Sequence, residues 1–182
     1  MKGTGPERSG IRVFVFREGV SVANDAAHVL EFDRVLELLA RECQFSLAAE
    51  RAREIGPSGD RRQVDYLLTI TREATALLTD HPGFSVGGVR DIREAVERAS
   101  VGSLLTPADL RQVLDTVDAA RALRRAFFRI DAAGATYPGL SEFAGAVADL
   151  AGLSADLTRT VGPRGEILDS ASLELETIRR ET

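Results

Sequence analysis

Thr106-Pro107-Ala108-Asp109-Leu110-Arg111-Gln112-Val113-Leu114-Asp115-Thr116-Val117 is the stretch from which the fold is read. Thr106 supplies a side-chain oxygen for a helix N-cap, and Pro107 suits the first helical position, where its missing N–H costs nothing. Asp109 places a negative charge at the positive end of the helix dipole. The spacing then predicts a helix to about Ile130, with Leu110, Val113, Leu114, Val117, Ala120, Leu123 and Phe127 along one buried side. So long a helix with one apolar stripe needs other helices to cover it.

Upstream, the period is again helical. Phe32, Val35, Leu36, Leu39, Cys43 and Leu47 make one stripe, which predicts a single helix over 30–55, ended by Gly56-Pro57-Ser58-Gly59. Asp60 caps a second helix, with Gln63 three residues on and Val64, Leu67, Leu68, Thr71, Ala74, Thr75 and Leu78 as its buried stripe. The short connection between the two predicts an antiparallel helical hairpin. A short helix is expected over 91–99, after a loop through Gly87-Gly88.

Downstream, Gly134 to Pro138 form a break. A helix with Leu140, Phe143, Ala144, Val147 and Leu150 on one face follows, then a shorter segment over 155–161 and a turn at Gly162-Pro163-Arg164-Gly165. Glu166-Ile167-Leu168 reads as a brief strand or extended link. The fold class is all-α, a bundle of about five or six helices, and the scarcity of aromatics (5%, with no Trp) fits a core of Leu, Val and Ala. Residues 1–28 read as an N-terminal extension, either partly disordered or with a short β-hairpin formed by residues 11–16 and 20–22. Residues 29–168 are the helical core. Residues 169–182 start a further helix on Leu173, Leu175 and Ile178, with no stop signal behind it.

Composition narrows function. The net charge is −5, whereas a domain that binds nucleic acid alone usually carries a basic surplus. One cysteine excludes an internal disulfide and a multi-cysteine zinc site. No apolar run approaches the length of a membrane span, and no secretory leader is legible, so a cytoplasmic location is expected, with no membrane partner.

Few residues carry chemistry. Cys43 lies on the apolar stripe of the first helix, where packing is the expected role. His28 and His81 have neither a second histidine nor a carboxylate at metal-ligand spacing. The only lysine is Lys2, and no phosphate-binding Gly-rich loop ending in Lys-Ser/Thr occurs, so a P-loop is excluded. Arg121, Arg124, Arg125 and Arg129 crowd the C-terminal half of the long helix, as complements of its dipole or as an anion-contacting face. No catalytic, cofactor-binding or metal-binding residue is assigned.

Four stretches carry a family resemblance: Leu30-Glu31-Phe32-Asp33-Arg34-Val35-Leu36, Gly87-Gly88-Val89-Arg90-Asp91-Ile92-Arg93, Leu105-Thr106-Pro107-Ala108-Asp109-Leu110 and Gly165-Glu166-Ile167-Leu168-Asp169-Ser170-Ala171-Ser172. In this order they resemble the N-terminal region of bacterial MutS paralogues of the second type. That branch carries a C-terminal Smr nuclease domain and is linked to recombination suppression and rescue of stalled ribosomes. Its members begin close to Leu30, so the resemblance supplies no role for residues 1–27.

The resemblance implies a non-catalytic helical core that anchors a lever helix. The clamp, the ATPase domain with its ATP and Mg, and the Smr domain would lie in sequence beyond Thr182. DNA or the ribosome would be reached only through the whole protein. It also implies an interdomain interface at Gly87, Gly88, Arg90, Asp91, Asp169, Ser170, Leu173, Leu175 and Ile178. The alternative is a standalone interaction module, without nucleic-acid or ATPase activity, that forms a homodimer through Leu173, Leu175 and Ile178.

Overall fold

The computed structural model describes residues 30–172 and Thr177. The expected hairpin over 11–22 and the side chains of Leu173, Leu175 and Ile178 lie outside the described residues. Within them the chain is all-α: α1 (Phe32–Glu42), α2 (Ser46–Arg53), α3 (Arg61–Asp80), α4 (Arg93–Ser100), α5 (Pro107–Ile130), α6 (Pro138–Ala146), α7 (Ala151–Thr160) and a 3₁₀ turn at Asp169–Ala171. An isolated antiparallel bridge joins Val161 to Ile167. The expected extended link at 166–168 therefore returns along the end of α7.

Helix α5 is the rod against which α6 and α7 pack. It begins at the expected residue and ends at Ile130, with a reciprocal capping box: the Asp109 N–H donates to Thr106 Oγ1 (3.2 Å), and the Thr106 N–H donates to Asp109 Oδ2 (2.8 Å). Asp109 also accepts from Arg98 Nη2 at 2.7 Å, which ties α4 to the start of α5. Both α6 and α7 pack on α5, and α3 packs on α6.

Two apolar clusters follow. Leu77, Phe127 and Tyr137 are buried together, with Phe84, Phe128, Ile130, Leu140 and Ala144 against them. Phe127 and Phe128 meet edge to face, their centroids 5.4 Å apart. At the other end of α5, Leu114, Leu157 and Val161 are buried against Leu110 and Val113.

The structure corrects the expected single helix over 30–55. The chain is extended at Cys43 and Phe45, so the stripe is broken into α1 and α2, which fold back and pack on each other. Cys43 and Leu47 mimic a continuous helical period in the sequence, but the fold-back is what buries Leu36, Ala40 and Ala52. Glu37 accepts from Arg53 Nε (2.8 Å) and Nη2 (3.3 Å) across the pair. Cys43 caps α1 with its N–H bonded to the Ala40 carbonyl.

The helical hairpin thus closes within residues 32–53, and α3 takes α6 as its close partner. Asp60 caps α3 as expected, accepting from the N–H groups of Arg62 (2.9 Å) and Gln63 (3.3 Å).

The buried side of α3 is also displaced from the expected stripe. Leu77 is buried at 3% exposure and Tyr66, Ile70, Glu73 and Ala74 are half-buried, whereas Leu67, Leu68 and Leu78 are exposed. Polar reach explains part of this choice. The Glu73 carboxylate accepts from the Leu140 N–H (2.9 Å) in the first turn of α6, and Tyr66 donates to Glu142 (3.2 Å). A Cβ at Gly139 would stand 3.0 Å from Ile70 Cγ1 and 3.1 Å from Glu73 Oε2, so a glycine is what lets the two helices approach.

The next helix is shorter than its stripe. It stops at Ala146, leaving Val147 as its cap and Leu150 as the cap of α7, with Phe143 exposed.

Between α5 and α6 the chain turns around one carboxylate. Asp131, 4% exposed, accepts from the N–H groups of Ala135 (3.1 Å), Thr136 (3.1 Å) and Tyr137 (2.7 Å). Tyr137 in turn donates its hydroxyl to Asp80 at the end of α3 (3.2 Å). Burial works against ionisation of Asp131, but the surrounding backbone N–H groups outweigh it and hold the pKa below the ordinary value.

Two outcomes are expected. Leu77→Ala costs about 2–5 kcal/mol in denaturant unfolding, while its neighbour Leu78→Ala costs under ~0.5 kcal/mol; equal losses would restore the stripe expected from sequence. The depressed Asp131 pKa contributes stability that is present above the unfolded value of about 3.9 and is lost as pH falls through the lower folded value. Asp131→Asn should therefore be less stable at neutral pH and show a shallower loss of stability below about pH 4.

Candidate interdomain interface

The loop over 87–93 is held from two sides. Its Arg90 N–H donates to Thr116 Oγ1 (3.1 Å) on α5, whose hydroxyl donates back to the Arg90 carbonyl (3.5 Å). Gly88 has φ +92°, and a Cβ there would lie 3.2 Å from Ala119 Cβ; the turn and the close approach both require glycine. On the other side, a Cβ on Gly87 would meet Gln44 Oε1 at 3.2 Å, so the loop passes close to the turn between α1 and α2.

Arg93, the first residue of α4, is the electrostatic anchor of the loop. Its guanidinium donates to both Glu50 oxygens on α2 (2.9 and 3.0 Å). It also donates to both Asp91 oxygens, at distances from 2.6 to 3.2 Å. The hydrogen bonds from the Arg93 side chain, then that from its backbone N–H, hold the Asp91 pKa below its ordinary value. Arg93 is correspondingly raised by Asp91 first and Glu50 second. Asp91 is thus engaged within the chain, while the Arg90 side chain faces solvent.

Asp169 and Ser170 sit in the 3₁₀ turn. Ser170 Oγ donates to the Arg159 carbonyl (2.8 Å) and the Leu168 N–H to the Thr160 carbonyl (3.0 Å), which fastens the segment to the end of α7. Helix α7 is itself bound to α5, where Ser154 Oγ donates to Asp118 (2.6 Å). The two segments with described interface residues, 87–93 and 169–170, are therefore carried by the N-terminal half of α5, one directly and one through α7.

Of the five arginines of α5, the four in its C-terminal half separate into pairs. Arg121 is engaged by Asp149 (3.0 Å) and, more loosely, Asp118 (3.9 Å). Arg124 lies over the Phe128 ring, 5.7 Å from its centroid. Arg125 and Arg129 are exposed.

The sequence reading missed the outward face of α3. Leu67, Leu68 and Leu78 are 38%, 46% and 53% exposed. Between and beside them, the hydroxyls of Thr69, Thr71, Thr75 and Thr79 each donate to the carbonyl four residues back, all at 2.8 Å. Their donors are satisfied inside the helix, so this face can be covered without stranding a polar hydrogen. The signal was in the sequence, as the stripe that was expected to be buried.

Among the described residues no group of three or more His, Cys, Asp or Glu is placed to hold a metal ion, and no helix is long and apolar enough to cross a membrane.

No family model matches the chain. Curated relatives do. An "Endonuclease MutS2" of Thermomicrobium roseum is 55% identical over 159 residues, covering 87% of this chain and 20% of that protein. The protein of the same name from Geobacillus thermodenitrificans is 32% identical over 151 residues, 83% of this chain and 19% of its own length. That of Exiguobacterium sibiricum is 31% identical over 159 residues, 86% and 20% respectively. The chain thus spans about one fifth of the length of these relatives, and across that span it belongs to the MutS2 family of bacterial MutS paralogues.

Proposed function

We propose that this chain is the non-catalytic scaffold of a MutS2 protein, the mount on which a lever helix is anchored and through which motion passes between ATPase and clamp. The observation that carries the reading is the outward face of α3, apolar and with its hydroxyls satisfied internally, which suits burial under further helices. Its support is the length of the relatives, about five times that of the matched stretch. Helix α5 gives the reading a mechanical basis: a rigid rod bearing the 87–93 loop and, through α7, the segment that leads into residues 173–182.

In this proposal ATP and Mg are bound by the ATPase domain and cleavage belongs to the Smr domain, neither being work for these residues. DNA recombination suppression and rescue of stalled ribosomes are roles of the whole protein, in the cytoplasm, which meets DNA or the ribosome through its other domains. Arg125 and Arg129 are too few, on a chain of net charge −5, to carry nucleic-acid binding alone. The same exposed stripe also suits self-association, the second reading. There, concentration-dependent dimers of the 182-residue chain would disappear on Leu68→Glu or Leu175→Glu.

In the full-length protein, Leu68→Glu and the pair Arg90→Ala/Asp91→Ala should each weaken nucleotide-dependent clamping on DNA. Leu68→Glu should change the unfolding free energy of the 182-residue chain by no more than ~0.5 kcal/mol. Coupling at the wild-type level in both variants sinks the scaffold reading. The chain alone should show little binding to branched DNA at physiological salt, unchanged by Arg125→Ala/Arg129→Ala.

A further inference from the structure

We infer that the α1–α2 hairpin is a separately opening unit, held to the rest of the bundle by a polar latch whose central residue is Arg93. This goes beyond the scaffold reading and stands or falls independently of it.

Three observations point the same way. Helices α1 and α2 pack closely on each other, and the other close helix pairs, α3 with α6, α5 with α6 and α5 with α7, do not include them. The two apolar clusters that unite α3, α5, α6 and α7 contain no residue of α1 or α2, whose buried residues are Leu36, Ala40 and Ala52. The connection to α3 has room to move. A Cβ at Gly56 or at Gly59 would meet nothing within 4 Å, and residues 55–60 form no helix.

Among the described residues, the gap is spanned by charge and by the approach of Gly87 to Gln44. Arg93 grips both oxygens of Glu50 on α2 and both of Asp91, while the latter's loop is pinned to Thr116 of α5. Its side chain is 58% exposed and that of Glu50 46%, so solvent and salt reach the pair. An exposed ion pair is screened by solvent and salt and contributes far less than buried apolar clusters. The hairpin can thus open as a unit without breaking either of those apolar clusters, and the hinge is the segment around Gly56 and Pro57. Opening breaks the Arg93–Glu50 bonds and removes Gln44 from beside Gly87, while Asp91 stays bound to Arg93 and the Arg90 backbone to Thr116.

Hydrogen exchange on the 182-residue chain tests this. Amides of α1 and α2 should exchange together, and faster by about fivefold when salt is raised from about 0.05 M to about 0.5 M. Those of α5 and α6 should not change. Glu50→Gln should bring the low-salt exchange of the hairpin close to the high-salt wild-type level and remove most of its salt dependence, leaving the α5 and α6 amides unaffected. Glu37→Gln, which alters an ion pair inside the hairpin, should loosen α1 and α2 without removing the salt response at the Arg93 latch. The inference is overturned if α1 and α2 exchange no faster than α5 and α6, or if Glu50→Gln lowers protection across the whole bundle. It is overturned equally if Glu50→Gln leaves the exchange of the hairpin and its salt response as in wild type.

Discussion

A helix leaves N–H groups at its start and carbonyls at its end without partners, and a rod of twenty-four residues holds its place in a bundle when those ends are fixed. In this protein the start of α5 is fixed by the reciprocal bonds of Thr106 and Asp109, and Asp109 also recruits Arg98 from α4. Beyond its end, the Asp131 carboxylate gathers three backbone N–H groups and reverses the chain into α6. With both ends set, Leu114 and Phe127 fall at fixed heights, and each nucleates one of the two apolar clusters. The placement of α6, of α7 and, through α6, of α3 follows from that spacing.

The parts joined to this rod differ in how they are joined. Helices α6 and α7 share buried apolar residues with it, each worth roughly 1.5–3 kcal/mol on full burial. The α1–α2 hairpin shares none in those clusters and is held through Arg93, Glu50 and the Gly87–Gly88 turn. Apolar burial is non-directional and hard to undo by degrees, whereas an exposed ion pair is weak and responds to salt. One chain therefore contains a rigid centre and a weakly held periphery. In the scaffold role proposed above, that division would give motion a place to act without dissolving the mount.

How far the residues alone led depends on whether an interaction is local. The caps at Asp60 and Thr106, the turn at Gly162 to Gly165 and the full extent of α5 were legible, because each rests on groups within four residues of one another. The Gly87–Arg93 and Gly165–Ser172 stretches were legible as marked sequence. Their attachments were not, since Thr116, Ala119, Glu50 and Arg159 are distant in the chain or belong to another element. The stripe on α3 is legible as apolar, but that Leu67, Leu68 and Leu78 are exposed among the described residues is not.

The sequence by itself determined the helical class of the described residues, the positions of the strongest helix starts and the acidic balance, because periodicity, capping chemistry and composition are properties of neighbouring residues; the likeness to MutS paralogues came from four matched stretches instead. Only the tertiary structure decided that the first helix folds back at Cys43 to Phe45, and that α3 turns Leu77 inward and Leu78 outward. The reason is the same in each case. An apolar stripe states that a face can be buried, but which of two competing faces is buried depends on the shape and polar reach of a partner helix. For α3 that partner is α6, whose Gly139 permits close approach and whose Leu140 N–H needs Glu73.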